Sequence, residues 1–241
     1  MYSNIDWKKV LYIMLVVGLV TSFINPKTNL VVDLLLTLPG LILGLTVHEY
    51  SHAKMADRLG DPTPEMQGRL TLNPLAHVDP VGFICLIFAH FGWGRPVQID
   101  PSHFRNPPRD NMLVALAGPL SNFILAFIIF FIYPFANIFL FTRSAVLHSN
   151  MIYMLEYAAL INLCLFAFNL LPFPPLDGSK ILSYLLKGKA REFIWNLERY
   201  SLFIIAFLFL ADIPSRLITP VVGFCANFMG SVVEGILGPL L

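Results

Sequence analysis

The chain has 241 residues, 56% of them hydrophobic and only 13% charged, with a mean hydropathy of +0.70. A soluble domain carries about 25% charge, so this composition excludes one and indicates an integral membrane protein folded as one compact domain. A formal net charge of +1 argues against nucleic acid as a partner.

The first apolar run, about 8–24, follows Trp7, Lys8 and Lys9 and has the charge pattern of a signal peptide. No small-x-small cleavage site precedes Asn25-Pro26, so it reads as a retained helix. A second span, about 30–57, ends in His48-Glu49-Tyr-Ser-His52, which places both histidines near its far end rather than at mid-bilayer. Residues 58–80 are polar and rich in Pro, Gly and Asn, and the apolar run 81–93 is too short for a comfortable crossing, so a re-entrant or interfacial segment is expected there. Gly94-Arg-Pro-Val-Gln-Ile-Asp100 reads as a short extended strand, and 102–110 as a basic, Pro-rich loop. The third span, about 111–133, contains Ala117-Gly118-Pro119-Leu120-Ser121-Asn122, with a kink expected at Pro119. A loop over 134–150 leads to the fourth span, about 151–171. That span stops at Asn169-Leu-Leu-Pro172-Phe-Pro174-Pro175-Leu-Asp177-Gly178, where three prolines in four residues predict an extended break at membrane depth. A short amphipathic helix, 178–187, precedes two further spans, roughly 193–211 and 215–238. The fold class is therefore all-α and polytopic, with about six transmembrane helices plus short extended or re-entrant segments. Cys85, Cys164 and Cys225 sit in apolar surroundings without C-x-x-C spacing and read as small buried hydrophobes.

With the N-terminus cytoplasmic, thirteen of the sixteen Lys and Arg fall on the inner side and only Lys27, Arg143 and Arg216 on the outer side. The same layout puts the histidine pair and the Asp177 break at the cytoplasmic ends of their spans, at one depth.

On a helix His48 and His52 stand one turn apart and present both imidazoles on one face, as a zinc pair must, while Glu49 lies about 100° round and is placed to act as general base. The same four-residue step gives Gly40, Gly44, His48, His52 and Ala56, a small-residue stripe that lets a neighbouring helix approach beside the metal. A catalytic zinc takes three protein ligands and keeps a fourth position for water. Asp177 is the best third ligand, an acid at a proline-broken helix end, with Asp57, Glu65, His77 and Asp79 as rivals. His77 and Asp79 are expected to orient a ligand or gate entry. Met55 and Arg58 stand where the longer soluble-protease signature needs Gly and His, which excludes that class. A metal carrier would need acids or histidines along several spans, and outside the motifs the spans hold only Asp33 and Glu156. A CAAX-processing protease would need a motif around a downstream glutamate, and Glu156, Glu192, Glu198 and Glu234 have none.

His48-Glu-Tyr-Ser-His52, Ala117-Gly-Pro-Leu-Ser-Asn122 and Asn169-Leu-Leu-Pro-Phe-Pro-Pro-Leu-Asp177-Gly178 together resemble the site-2 protease family of intramembrane zinc metallopeptidases. Leu70-Thr-Leu-Asn-Pro-Leu-Ala-His77-Val-Asp-Pro is similar to its small prokaryotic branch, which lacks PDZ and CBS domains. The resemblance covers about 45–180. It implies that His48, His52 and Asp177 bind Zn²⁺, that Glu49 is the catalytic acid residue, and that Asn122 and Asn169 help hold the substrate backbone or the oxyanion. Composition and the span layout together give a single membrane-embedded peptidase domain over 1–241, with a catalytic core at about 30–180 and accessory helices at 8–24, 193–211 and 215–238. The expected activity is hydrolysis of peptide bonds in membrane-spanning or membrane-associated proteins near the cytoplasmic face of a prokaryotic inner membrane. A transmembrane protein substrate and membrane lipids are the expected partners, with a homo-oligomer left open; a silent scaffold or a zinc carrier are the alternatives.

Overall fold

The computed structural model describes residues 30–83, 94–139 and 144–238. The expected first span, 8–24, and most of the 81–93 segment, with Cys85, lie outside the described residues. Among the described residues four helices are long and apolar enough to cross a membrane: Leu34–Arg58 within α1 (Leu30–Arg58), α3 (Pro107–Phe139), α4 (Ala145–Asn169), and Ser215–Leu237 within α8 (Ile213–Leu237). A 25-residue helix rises about 37 Å, enough to cross a hydrocarbon core of about 30 Å with some tilt. The shorter helices are α2 (Thr63–Met66), α5 (Asp177–Leu185), α6 (Lys189–Glu198) and α7 (Ser201–Leu210). No strand forms among the described residues. The expected strand is an extended stretch with one isolated antiparallel bridge, Val78 to Gly94.

The outward surface settles the solvent. Leu35, Phe139, Val146, Phe203, Phe207 and Phe224 are all exposed, as are many neighbours on the same helices. In water such contiguous apolar area would aggregate, whereas hydrocarbon is its matched surroundings. The chain is an all-α polytopic membrane protein.

Several boundaries differ from the sequence reading: α3 begins at Pro107, inside the stretch expected as a loop, and α4 at Ala145 rather than about 151. Helix α3 runs through Pro134 to Phe139, shortening the expected 134–150 loop, because losing one backbone bond at proline does not end a helix held by lipid and by its neighbours. The expected span at 193–211 is instead two ten-residue helices, α6 and α7, meeting at Arg199 and Tyr200. Glu198 and Arg199 interrupt the apolar pattern, and the uninterrupted run that follows rises only about 15 Å, half a bilayer core.

Helices α1, α3 and α4 pack on one another as the core. Gly40 and Gly44 face α4: a Cβ at Gly40 would lie 2.5 Å from the Ala158 Cα, and one at Gly44 would lie 2.7 Å from the Asn162 Oδ1. The small-residue stripe therefore does what its spacing predicts, bringing α4 against the helix that carries the histidines. Helix α8 closes the other side through Val222, Cys225 and Met229, which pack on Ala126, Leu163 and Ala167.

Candidate active site

His48 and His52 lie ten and six residues before the end of α1, about 15 and 9 Å inside it. Val114 sits at a matching depth in α3, seven residues from its start. The proline break after α4 turns the chain back and α5 begins at Asp177 itself. This reversal requires a glycine at 178, since a Cβ there would collide with the carbonyl oxygens of Leu170 and Leu171. Ser179 caps the turn by donating its hydroxyl to the Leu176 carbonyl at 2.7 Å.

Three donor atoms converge. His48 Nε2 and His52 Nε2 are 3.0 Å apart, and Asp177 Oδ2 lies 3.2 Å from the first and 3.1 Å from the second. All three residues are buried, at 5, 7 and 7% exposure. The far side of each ring fixes which nitrogen carries hydrogen. His52 Nδ1 is 2.7 Å from the Val114 carbonyl oxygen, which can only accept, so this nitrogen donates and in the neutral ring Nε2 is bare. His48 Nδ1 is 2.7 Å from Asn122 Oδ1. The Asn122 amide nitrogen donates to the Gly44 carbonyl at 3.0 Å and to Asn162 Oδ1 at 2.8 Å, so its oxygen must face the imidazole and His48 Nε2 is bare as well. The Lys180 ammonium lies 3.6 Å from Asp177 Oδ1.

With Nδ1 of each imidazole engaged from behind, the two Nε2 atoms and one Asp177 oxygen are turned on one point, a donor set that suits a zinc ion. Tetrahedral zinc with bonds of 2.0–2.2 Å would set such atoms about 3.3 Å apart, close to the spacings found. Gly118 leaves the room: a Cβ there would strike His52 Nε2 and come within 2.7 Å of His48 Cε1.

Glu49 stands half-buried beside this cluster, and its Oε2 accepts a hydrogen bond of 2.9 Å from the Val97 backbone N–H. The extended 95–97 stretch therefore lies against it. The other residues singled out from the sequence are placed differently. Asn122 is fully buried, with its Oδ1 against His48 Nδ1 and its Nδ2 donating to the Gly44 carbonyl and to Asn162 Oδ1. Asn169 donates to the Leu165 carbonyl at the end of α4. His77 is fully buried, donating from Nε2 to the Thr71 carbonyl at 2.7 Å, and Asp79 caps the next turn by accepting from the Gly82 N–H at 2.8 Å. Neither joins the three-residue cluster, nor do Asp57, which pairs with Lys54 at 2.8 Å, or Glu65, which is exposed. Asn162 was not apparent from the motifs. Fully buried in α4, it accepts from Asn122 and donates to the Ala158 carbonyl at 2.8 Å and the Gly40 carbonyl at 3.4 Å. The available signal was an amide inside an apolar span, which is costly unless partnered.

Two imidazoles and a carboxylate converging on one point, with a second carboxylate beside them, make up the donor set of a catalytic zinc site in a helical membrane bundle. The sequence pattern described as "Peptidase family M50" matches residues 135–211, a stretch that holds Asp177 but not the histidine pair. "Putative zinc metalloprotease YwhC" of Bacillus subtilis is 37% identical over 201 residues, covering 83% of this chain and 92% of that protein. "Putative zinc metalloprotease Rip2" of Mycolicibacterium smegmatis is 30% identical over 204 residues, covering 81% and 74%. "Putative zinc metalloprotease MJ0611" of Methanocaldococcus jannaschii is 38% identical over 88 residues, covering 36% and 38%. No solved structure matches the chain. The chain belongs to peptidase family M50, the site-2 protease family, and is a zinc-dependent metalloendopeptidase. The donor set of His48, His52 and Asp177 fits its zinc.

Proposed function

We propose that this protein hydrolyses peptide bonds of membrane-spanning or membrane-associated proteins close to the cytoplasmic face of a prokaryotic inner membrane, with its N-terminus in the cytoplasm. The observation that carries this reading is the depth of the site, about 9–15 Å inside the end of α1, on the side where the sequence collects its Lys and Arg. Bound zinc supplies Lewis-acid polarisation of a carbonyl and an acidified water. Glu49 takes a proton at its carboxylate and returns it to the leaving nitrogen. Val114 and Asn122 hold the two imidazoles in the ligating tautomer. The Val97 N–H fixes one Glu49 oxygen and leaves the other to work. Helical substrates hide their carbonyls in backbone hydrogen bonds, so a substrate must unwind to present one, and the backbone groups of the extended 95–99 stretch not already held by His77 and Glu49 offer an edge for it.

Glu49→Gln protein, purified in detergent and given a membrane-protein substrate, is expected to lose cleavage while retaining stoichiometric zinc. Full residual cleavage would remove Glu49 from the chemistry. In the fourth span, Glu156 is hydrogen-bonded by the Tyr133 hydroxyl at 2.6 Å rather than set along a path to the metal, which weighs against an ion carrier.

A further inference from the structure

Two buried side-chain nitrogens lack a hydrogen-bond partner among the described residues, His77 Nδ1 and Arg69 Nη1. The first is a bare lone pair, since His77 donates from its other nitrogen. The second is a different matter, because a guanidinium nitrogen is always a donor and the group keeps its charge. Arg69 is 9% exposed, and its backbone N–H is tied to the Pro64 carbonyl at 2.8 Å. Its guanidinium forms no ion pair among the described residues. Burial works against its charge, and Arg95 acts on it as a repelling neighbour and Glu49 as an attracting one. Arg95 is anchored at the same place by its backbone N–H on the His77 carbonyl at 2.6 Å. Two residues further on, Val97 holds Glu49.

A buried cation with an unmet donor, set near a second cation, is a costly arrangement that calls for an explanation. A neutral carbonyl would satisfy the free N–H and leave the two positive charges in conflict. A carboxylate relieves both at once, and a guanidinium fork matches its shape. We propose that Arg69, assisted by Arg95, forms a subsite for a carboxylate of the substrate peptide, beside the bond presented to Glu49. This inference rests on the peptidase reading above and adds a specificity to it. The carboxylate belongs either to an acidic side chain or to a free C-terminus.

The probes are short, fluorescently labelled apolar peptides with one Asp walked along the sequence, each matched by an Asn twin, together with a C-terminal acid and its amide. Binding is measured by anisotropy on zinc-loaded Glu49→Gln protein, which leaves peptides uncut. At one Asp position, or for the C-terminal acid, binding is expected to exceed that of the uncharged twin by about tenfold. Adding Arg69→Gln should erase that preference, and Arg69→Lys should restore part of it. Zinc content and helicity report that each variant is folded; should Arg69→Gln fail to fold, the exposed Arg95→Gln takes its place and is expected to weaken the preference. A ratio near one for every pair overturns the proposal, as does a preference that survives Arg69→Gln or, in its place, Arg95→Gln. The Asp walk and the terminal pair separate the two sources of the carboxylate. Preference without cleavage of any probe by the wild type would leave the subsite standing and count against the substrate class proposed above, and cleavage without preference would do the reverse.

Discussion

The Asn122 amide oxygen holds His48 from behind at 2.7 Å, while its two protons are fixed on Gly44 and Asn162. Removing that amide frees the ring to turn and to change tautomer. Asn122→Ala is therefore expected to weaken zinc binding by about 10–100-fold, measured by competition with a chelator, with helix content unchanged. A sharper result is expected at Gly118, where the added methyl of Gly118→Ala falls on His52 Nε2. That variant should purify with little zinc, and a full complement would show that α3 can yield. The histidine pair and Glu49 are legible in the sequence because their geometry is local to one helical turn. Asp177 is legible because the prolines before it force an end to α4. The role of Asn122 is not, since it depends on a partner forty residues away in another helix, Asn162, whose position only the packed bundle supplies.

At the scale of the elements, close approach of α1 and α4 hinges on two glycines. Gly40→Leu places a side chain against the Ala158 backbone, which cannot rotate aside. The variant is expected to lose about 1–3 kcal/mol or more, seen as a lower thermal midpoint in detergent. Leu43→Ala, on an exposed position of the same helix, should leave the midpoint nearly unchanged and serves as the control. The four-residue stripe announced this contact but not its partner, because every span offers an apolar face. Helix ends were harder to read. Pro134 looked like a terminus and is an interior residue, while the 193–211 run looked continuous and is divided where Glu198 and Arg199 intervene.

For the molecule as a whole, the donor set joins α1 to the start of α5 with α3 behind the imidazoles, so a metal held there and the fold would support one another. Chelation is expected to lower the thermal midpoint, with a stabilisation of about 2.7 kcal/mol returned when free zinc is roughly a hundred times its dissociation constant. His52→Ala protein should show no such response. The hydrogen bonds that Asn162 makes to Asn122 and to the Gly40 and Ala158 carbonyls have a reciprocal meaning. They place α4, a lipid-facing helix with no ligand of its own, in thermodynamic linkage with the ion. Whatever free energy the seated helix lends to zinc affinity, bound zinc lends back to keeping that helix seated. Sideways displacement of α4, by a lipid or an incoming substrate, is thereby felt as a loosening of the metal, and the depleted enzyme is the one whose flank opens most readily to the bilayer.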